Sequence, residues 1–282
     1  MKRPIALFLA LLLPAVLLSA CGGAGEQPEE GTVYVHFLDV GQADCTLIHT
    51  QDAVILVDAG DPASAGVITD YLADLEIERI DCLVLTHSHE DHIGGAVAVL
   101  SDFSVGTCIL PNASADTPAF FALLDALEQE GASVMEVCRT DAFVYGGVSL
   151  EFLWPEEEAL LEEENEGTLV FMASFEANRI LFPGDAPASV EEALLEYEDA
   201  AALGAQILKV GHHGAKTSTT EEFLEAVSPQ YAVISCGRGN AYAYPHIELM
   251  TRLLAEKVQI HRTDTDGTVV FCGDGATFSV VE

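Results

Sequence analysis

The sequence predicts one α/β domain in which helices cover two β-sheets. Strand-like apolar runs occur in both halves of the chain with helical segments between them, a pattern typical of layered α/β architecture. A length of 282 residues suits one large domain. Half of the residues are hydrophobic although the formal net charge is −35, so the acidity belongs to a folded protein and not to a disordered acidic tail.

Each element is predicted from its hydrophobic period, which is near 2 in strands and 3.6 in helices. In the first half, strands are predicted over 32–38, 45–49, 53–58, 82–86, 105–110 and 132–138, and helices over 63–76, 93–100 and 117–130. In the second half, strands are predicted over 143–153, 168–175, 179–183, 206–210, 231–235, 258–261 and 268–272, and helices over 188–198, 219–227 and 247–256. The acidic stretch 156–166 is predicted to lie on the surface.

The N-terminal segment has the features of a secretory signal. Lys2 and Arg3 precede a short apolar run that ends in Leu-Ser-Ala before Cys21. This ending resembles a bacterial lipobox, in which the cysteine is lipidated and becomes the new N-terminus. We therefore expect a lipoprotein signal peptide over 1–20, a lipidated Cys21 with a flexible Gly/Glu/Pro tether over 21–31, and one folded domain over 32–282, held at the outer face of a bacterial cytoplasmic membrane.

The charge balance limits the partners of this protein. Only 11 residues are Lys or Arg, against 46 Asp or Glu. A polyanion would be repelled over most of such a surface, so tight binding of duplex DNA is not expected. Short single strands and small phosphodiesters remain compatible with the composition.

The strongest chemical signal is the segment 86–95, Thr-His-Ser-His-Glu-Asp-His-Ile-Gly-Gly, directly after an apolar strand. It places three imidazoles and two carboxylates within six residues. The alternation of His87 and His89 directs two rings to one side of an extended segment, and imidazole with carboxylate suits a divalent cation such as Zn(II). Asp91 and His92 begin the next turn and can face a second ion.

This segment resembles the hallmark of the metallo-β-lactamase superfamily, His-x-His-x-Asp-His after a strand. Further matches indicate the ComEC-type branch, named for the extracellular hydrolase domain of the bacterial DNA-uptake channel protein; they lie at Leu38–Asp44, Ile55–Gly60, Pro183–Ala186, Lys209–Gly214, Tyr244–His246 and Arg262–Gly267. The resemblance covers nearly the whole mature domain. It implies a four-layer αββα sandwich, a binuclear metal-dependent hydrolase, and a free-standing, lipid-anchored relative of the channel protein.

The resemblance also implies roles for individual residues. His87 and His89 would hold one metal ion, Asp91 and His92 the other, and Asp185 would bridge both. His212 is predicted to complete the second ion, with His213 as the alternative ligand or a substrate contact. Asp58 would orient a ligand histidine or the motif loop.

One feature departs from many superfamily members, which have a further histidine before the bridging aspartate. No histidine occurs from Asn112 to Pro183, and Asn165–Thr168 occupies the corresponding place. The first ion would then keep open positions for water or substrate, as a hydrolytic ion requires. We expect two divalent ions, with Zn(II) favoured and Mn(II) as the alternative.

The substrate prediction depends on the last 74 residues, which contain six of the eleven basic residues. The run 214–220 ends at a predicted helix start, where Lys216 and Ser218 would bind a phosphoryl oxygen; capping of the helix is the structural alternative. His246 would donate to a phosphate or leaving group, or would lie on the surface at a helix start.

These residues predict a phosphodiesterase or nuclease acting on DNA, nucleotides or phosphorylated envelope polymers. In this mechanism two metal ions activate a shared water, Asp91 or Asp185 takes its proton, and Lys216 offsets developing charge. Two alternatives remain open: hydrolysis of an ester, lactone or β-lactam, and a non-catalytic binding or competence accessory lipoprotein.

Overall fold

The computed structural model describes residues 25, 27–111, 115–156 and 164–281. The predicted signal peptide and Cys21 lie outside these residues. Within the described part of the chain, no helix is both long enough and apolar enough to cross a membrane.

The described residues form fifteen strands and nine α-helices. The strands are β1 (Val33–Phe37), β2 (Thr46–Thr50), β3 (Ala53–Val57), β4 (Arg79–Val84), β5 (Ser104–Pro111), β6 (Ser133–Val137), β7 (Ala142–Tyr145), β8 (Val148–Trp154), β9 (Val170–Phe175), β10 (Asn178–Phe182), β11 (Ile207–Lys209), β12 (Tyr231–Ile234), β13 (Gln259–Arg262), β14 (Val269–Gly273) and β15 (Phe278–Val281). The helices are α1 (Ala65–Asp74), α2 (Glu90–Ile93), α3 (Ala96–Asp102), α4 (Pro118–Glu130), α5 (Ala188–Tyr197), α6 (Ala200–Leu203), α7 (Glu221–Val227), α8 (Ile247–Ala255) and α9 (Thr263–Asp266).

The strands build two mixed sheets. The first has the order β15-β14-β1-β2-β3-β4-β5-β6, and the second has the order β13-β12-β11-β10-β9-β8-β7. In the first sheet β1 to β3 are antiparallel and β3 to β6 are parallel. In the second, β7 to β10 are antiparallel and β10 to β13 are parallel. Each half of the chain therefore builds antiparallel strands followed by parallel strands, and β14 and β15 return to complete the edge of the first sheet.

Three apolar cores separate four layers. The core between the sheets contains inward-facing strand residues, among them Phe37, Phe152 and Phe171. A second core joins the first sheet to α1, α3 and α4. A third joins the second sheet to α5, α7 and α8. Because each strand alternates its side chains between two of these cores, both sheets are covered on both faces, and the predicted αββα sandwich is confirmed.

Most predicted elements lie within a few residues of their observed bounds, and the additional elements are short. The sequence analysis missed α2, α6, α9 and β15, each of which has four residues. The β15 strand pairs with β14 at the edge of the first sheet. Four residues cannot establish a clear hydrophobic period, so the edge strand depends on pairing with a partner that the sequence pattern does not reveal.

Candidate metal centre

The predicted ligands come together because several strands end at one edge of the sandwich. Asp58 follows β3 and the segment His87–His92 follows β4 in the first sheet, while Asp185 follows β10 and the pair His212-His213 follows β11 in the second. Ligand sites in α/β sheets form at the carboxyl ends of parallel strands, where the loops diverge.

Backbone contacts hold the loops of the first sheet against one another. The amide of Ala59 donates to the carbonyl of His92 over 2.7 Å, and the amide of Asp44 donates to the carbonyl of Asp91 over 3.1 Å. At Gly95 a Cβ atom would collide with the carbonyl oxygen of Ala59. The glycine after the motif is therefore required for this close approach.

The first group of ligand atoms belongs to His87, His89 and Asp185. The Nε2 of His87 lies 3.0 Å from the Nδ1 of His89 and 3.8 Å from the Oδ2 of Asp185. One ligand atom from each of the three residues lies within 4.8 Å of the others. The structure thus brings together the three residues predicted to hold the first ion.

The second group contains His92, whose ring is fixed from behind by Asp58. The Nδ1 of His92 donates to the Oδ2 of Asp58 over 2.8 Å, and Asp58 also accepts from the amide of Thr86 over 2.8 Å. With its proton on Nδ1, His92 directs the lone pair of Nε2 toward the Oδ1 of Asp185, 3.5 Å away. Asp58 therefore has the orienting position that the sequence analysis assigned to it.

The second group of ligand atoms comes from four residues, each with one atom within 4.8 Å of the others: Asp44, His92, Asp185 and His213. The Nδ1 of His213 lies 3.1 Å from the carbonyl of Ser235 and 3.5 Å from the Oδ1 of Asp44. Its Nε2 lies 3.2 Å from the Oδ2 of Asp91 and 3.9 Å from the Oδ2 of Asp185. His213 is thus oriented through Nδ1 and presents Nε2 to the carboxylates.

His212 is also close to the centre, but its surroundings differ. Its Nε2 lies 3.7 Å from the Oδ2 of Asp185, and its side chain is 27% exposed, against 2% for His213. The geometry therefore favours His213 as the buried ligand and directs His212 toward the cleft. The assignment of His212 as a ligand stays a prediction.

The backbone of both histidines is left-handed, with φ of 49° at His212 and 51° at His213. Two consecutive non-glycine residues in this region cost about 1–3 kcal/mol each, and such strain is found mainly at functional sites. The turn is supported by hydrogen bonds that join His212 N to the carbonyl of Gly184 and Ala215 N to the carbonyl of His212.

The charges of the centre depend on one another. Burial raises the pKa of Asp185, but His92 and His213 outweigh this effect and hold that pKa well below its usual range. Burial lowers the pKa of His213, but Asp44 and Asp185 raise it to about 10. Burial, reinforced by neighbouring His92, holds the pKa of His87 well below its usual range. The buried carboxylates therefore require nearby positive charge.

Four buried atoms in this centre have no hydrogen-bond partner among the described residues: His92 Nε2, His213 Nε2, Asp185 Oδ1 and Asp44 Oδ1. Leaving such atoms unpaired costs about 1–3 kcal/mol each. All four are ligand types that divalent cations prefer, and a cation would satisfy them together. The residues present therefore fit a metal centre.

An open cleft of about 320 Å³ leads to the centre. Its lining residues are Gln42, His89, Glu90, Asp91, Asp185, His212, His213, Tyr242 and Tyr244. Gln42 is held by the amide of Gly237, which donates to its Oε1 over 3.0 Å, while its buried Nε2 has no partner among the described residues. The cleft thus offers an oriented donor beside the candidate ligands.

Lys216, Ser218 and His246 do not line this cleft, contrary to the roles predicted for them. Ser218 is fully buried and donates to the carbonyl of Ala186 over 2.7 Å. The amide of Lys216 donates to the Nδ1 of His246 over 3.0 Å, so His246 supports the loop. The Lys216 side chain is exposed to solvent.

The predicted anion site at the start of α7 is already occupied by a side chain of the protein. The buried carboxylate of Glu191 accepts from the amides of Thr219 and Thr220. Thr220 caps α7 by accepting from the amide of Phe223 over 3.3 Å. The capping alternative is therefore correct, and the loop 214–220 is locked to α5 and is not open to a phosphate.

Other basic residues are also engaged within the protein. Lys209 is 3% exposed and its Nζ lies 2.8 Å from the Oδ2 of Asp44. Arg252 donates to the carbonyls of Thr219 and Lys216. The side chains of Lys209 and Arg252 are thus used in contacts within the protein.

Sequence reasoning missed Asp44 as part of the centre, although it was within a motif that carried the family resemblance. The segment Asn165–Thr168, which replaces the additional histidine, contributes through Thr168. Its hydroxyl accepts from the amide of Asp185 over 3.3 Å and is fully buried. Thr168 therefore helps to position Asp185, the candidate bridging carboxylate, through its backbone amide.

A family model described as the metallo-beta-lactamase superfamily matches residues 38–238, which include every candidate ligand. The chain belongs to the metallo-beta-lactamase superfamily. It is 30% identical over 255 residues to ComE operon protein 3 of Bacillus subtilis (strain 168), with coverage of 84% of this chain and 32% of the relative. It is 34% identical over 277 residues to competence protein ComA of Neisseria gonorrhoeae, with coverage of 93% and 37%.

These relatives support the ComEC-type branch within the superfamily, and the chain spans about a third of their length. Among solved structures, the metallo-beta-lactamase fold protein YhfI of Bacillus subtilis superimposes with a TM-score of 0.58 at 10% identity, covering 86% of this chain and 99% of that one. This likeness shows the fold. The chain is thus a metallo-hydrolase superfamily member with a candidate site for two metal ions.

Proposed function

We propose that this protein is a metal-dependent phosphodiesterase that cleaves single-stranded DNA or short nucleotides. The observation that carries the proposal is the convergence of unpaired buried ligand atoms from His92, His213 and Asp185 at the floor of an open cleft. The competence names of the two relatives support a nucleic-acid substrate over a lactam.

His87, His89 and Asp185 would hold one ion, and His92, His213, Asp185 and a carboxylate of Asp91 or Asp44 would hold the other. When bound, such ions supply the Lewis acidity that ionises water near neutral pH and offsets charge on phosphoryl oxygens. Zn(II) suits the imidazole-rich set, and Mn(II) suits a set with fewer imidazoles and more oxygen ligands.

Two side chains of the cleft, Asp91 and Gln42, would assist the reaction by accepting a proton and by donating a hydrogen bond. Asp91 is partly exposed, and its Oδ2 lies 3.2 Å from His213, so it can accept a proton from the attacking water at the cleft floor. Gln42 presents Nε2 as a donor to a phosphoryl oxygen, since its Oε1 is fixed by Gly237. Gln42 thereby takes the charge-offsetting role that the sequence had indicated for Lys216.

The surface charge restricts the form of the substrate. A formal net charge of −35 opposes the phosphates of a long duplex. A single strand can enter with one phosphodiester at a time and can gain binding energy through its bases, which is less dependent on salt. We therefore propose that the substrate is single-stranded and not duplex DNA.

Location at the outer face of the membrane follows from the lipobox and is part of the proposal. A diacylglyceryl group with a further acyl chain would give stable anchoring, which one chain does not. Replacement Cys21→Ala should release the protein from the membrane fraction. Wild-type protein recovered in the cytoplasm with residues 1–20 intact would contradict this location.

The function is tested with a substrate panel and purified protein loaded with Zn(II) or Mn(II). The panel contains a single-stranded oligonucleotide, its duplex, a phosphomonoester, a lactone and a β-lactam. We expect cleavage of the single strand with a kcat/KM above that for every other substrate, and loss of cleavage in Asp185→Ala. Preferential hydrolysis of the lactone or lactam would replace the proposal with an ester or lactam hydrolase, and bound metal without any hydrolysis would indicate an accessory lipoprotein.

A further inference from the structure

Two tyrosines between β12 and α8 form an aromatic stack at the cleft. The ring centroids of Tyr242 and Tyr244 are 5.3 Å apart, with an interplanar angle of 16°. The Tyr244 ring lies 6.5 Å from the ring of His213 and 5.9 Å from the ring of His212. The stack therefore extends from the candidate metal centre to the rim of the cleft.

The outer ring of this stack is unusually open. Tyr242 is 62% exposed while one face rests on Tyr244. A parallel neighbour on one side leaves the opposite face to solvent. A flat aromatic face held in solvent beside a hydrolytic cleft is a platform for another flat π-system.

The platform is held rigidly by Asn240. The Oδ1 of Asn240 accepts from the amides of Tyr242 and Tyr244 over 3.1 and 3.0 Å, and its Nδ2 donates to the carbonyls of Gly237 and Tyr244. The backbone that carries both rings is thus ordered before a ligand arrives, and less conformational entropy is lost when a base stacks.

We propose that Tyr242 stacks a nucleobase of the single strand whose adjoining phosphodiester lies in the cleft. This inference rests on the proposed function and specifies how the strand is held. Outside the metal centre the acidic surface opposes the phosphate backbone, so further affinity is expected from contacts that do not depend on phosphate charge. Base–aromatic stacking contributes about 1–3 kcal/mol per base and tolerates any base.

The test measures binding separately from cleavage. Kd values are determined by fluorescence anisotropy for metal-loaded protein with two nuclease-resistant phosphorothioate strands of equal length, one oligothymidylate and one abasic. Tyr242→Ala should weaken binding of the oligothymidylate by about 5- to 150-fold and leave the abasic strand within about twofold. Tyr242→Phe keeps the ring and should bind as the wild type does. Phe121→Ala, which removes an exposed aromatic of α4 that is 53% exposed, is the matched control.

Equal weakening for both strands, or no weakening for either, would overturn the inference. So would a wild type that binds the abasic strand as tightly as the oligothymidylate. If the wild type binds the base-bearing strand through Tyr242 but cleaves no phosphodiester, the platform stands and the hydrolase proposal falls. Cleavage of single strands by Tyr242→Ala with unchanged KM would leave the hydrolase and remove the platform.

Discussion

The replacement Asp58→Asn tests whether His92 is a metal ligand whose ring is oriented by Asp58. Asp58 is buried and accepts from Thr86 and from the Nδ1 of His92. Its φ is 58°, in the left-handed region that Asn tolerates as well as Asp, so the variant keeps the backbone. If the asparagine oxygen keeps its hydrogen bond from the amide of Thr86, only the NH2 group faces His92. An NH2 group cannot accept a hydrogen bond from Nδ1–H of His92. His92 is then driven to carry its proton on Nε2, the atom that faces Asp185.

The size of the effect follows from this tautomer change. Loss of the partner that orients a ligand histidine typically reduces metal affinity or activity by about 10- to 100-fold. This range corresponds to about 1.4–2.8 kcal/mol. The loss should affect the ion held by His92 more than the ion held by His87 and His89, because Asp58 contacts the His92 ring directly and reaches the His87 ring only through the hydroxyl of Thr86. The number of zinc ions bound per protein molecule should therefore fall from two toward one before it falls to zero.

The assay is a competition titration of metal-stripped protein with Zn(II) against a chromophoric chelator. Asp52→Asn removes the same charge from an exposed position in the turn between β2 and β3 and is the matched control. Thermal unfolding without metal verifies that the variant folds. Equal zinc affinity in Asp58→Asn and the wild type would refute the orienting role of Asp58 and, with it, the assignment of His92 Nε2.

Three further predictions concern the loops around the centre. His213→Ala should lose more bound metal than His212→Ala, because only the His213 ring is buried among the carboxylates; elemental analysis giving the opposite order would restore His212 as the ligand. Gln42→Ala should lower kcat for a phosphodiester by about 100-fold or less. Lys216→Ala changes an exposed position outside the cleft and should alter kcat by about twofold at most. Steady-state kinetics with the reverse ranking would favour the phosphate site at Lys216. Glu191→Gln should cost about 1–3 kcal/mol of unfolding free energy, since its NH2 must face a backbone N–H donor, and an unchanged urea midpoint would contradict this account of the loop.

Local signals predicted most of the fold and the core of the site. Strands buried on both faces are continuous apolar runs, so their ends are visible in the sequence, and side chains placed directly after those ends meet at one edge. The segment His87–His92 and the aspartate at Asp185 are of this kind. Their relation to one another, with Asp185 as the bridging carboxylate, was implied by the family resemblance.

Contacts between distant segments could not be inferred in this way. Asp44 and Lys209 are 165 residues apart in the chain, and their ion pair requires knowledge of which loops lie against each other. Lys209 was therefore counted only as one of the six basic residues of the last 74. Glu191 likewise comes from a different helix and occupies the amides that the run of Ser and Thr before α7 had offered to a phosphate.

The central claim is that phosphodiester cleavage takes place at the centre bridged by Asp185 and requires metal. The most direct measurement is a titration of metal-stripped protein with Zn(II), and separately with Mn(II), while cleavage of a single-stranded oligonucleotide is followed. The account predicts no cleavage without metal, a rise in rate as up to two ions bind, and no cleavage by Asp185→Ala at any metal concentration. Cleavage by the stripped protein or by Asp185→Ala would contradict it.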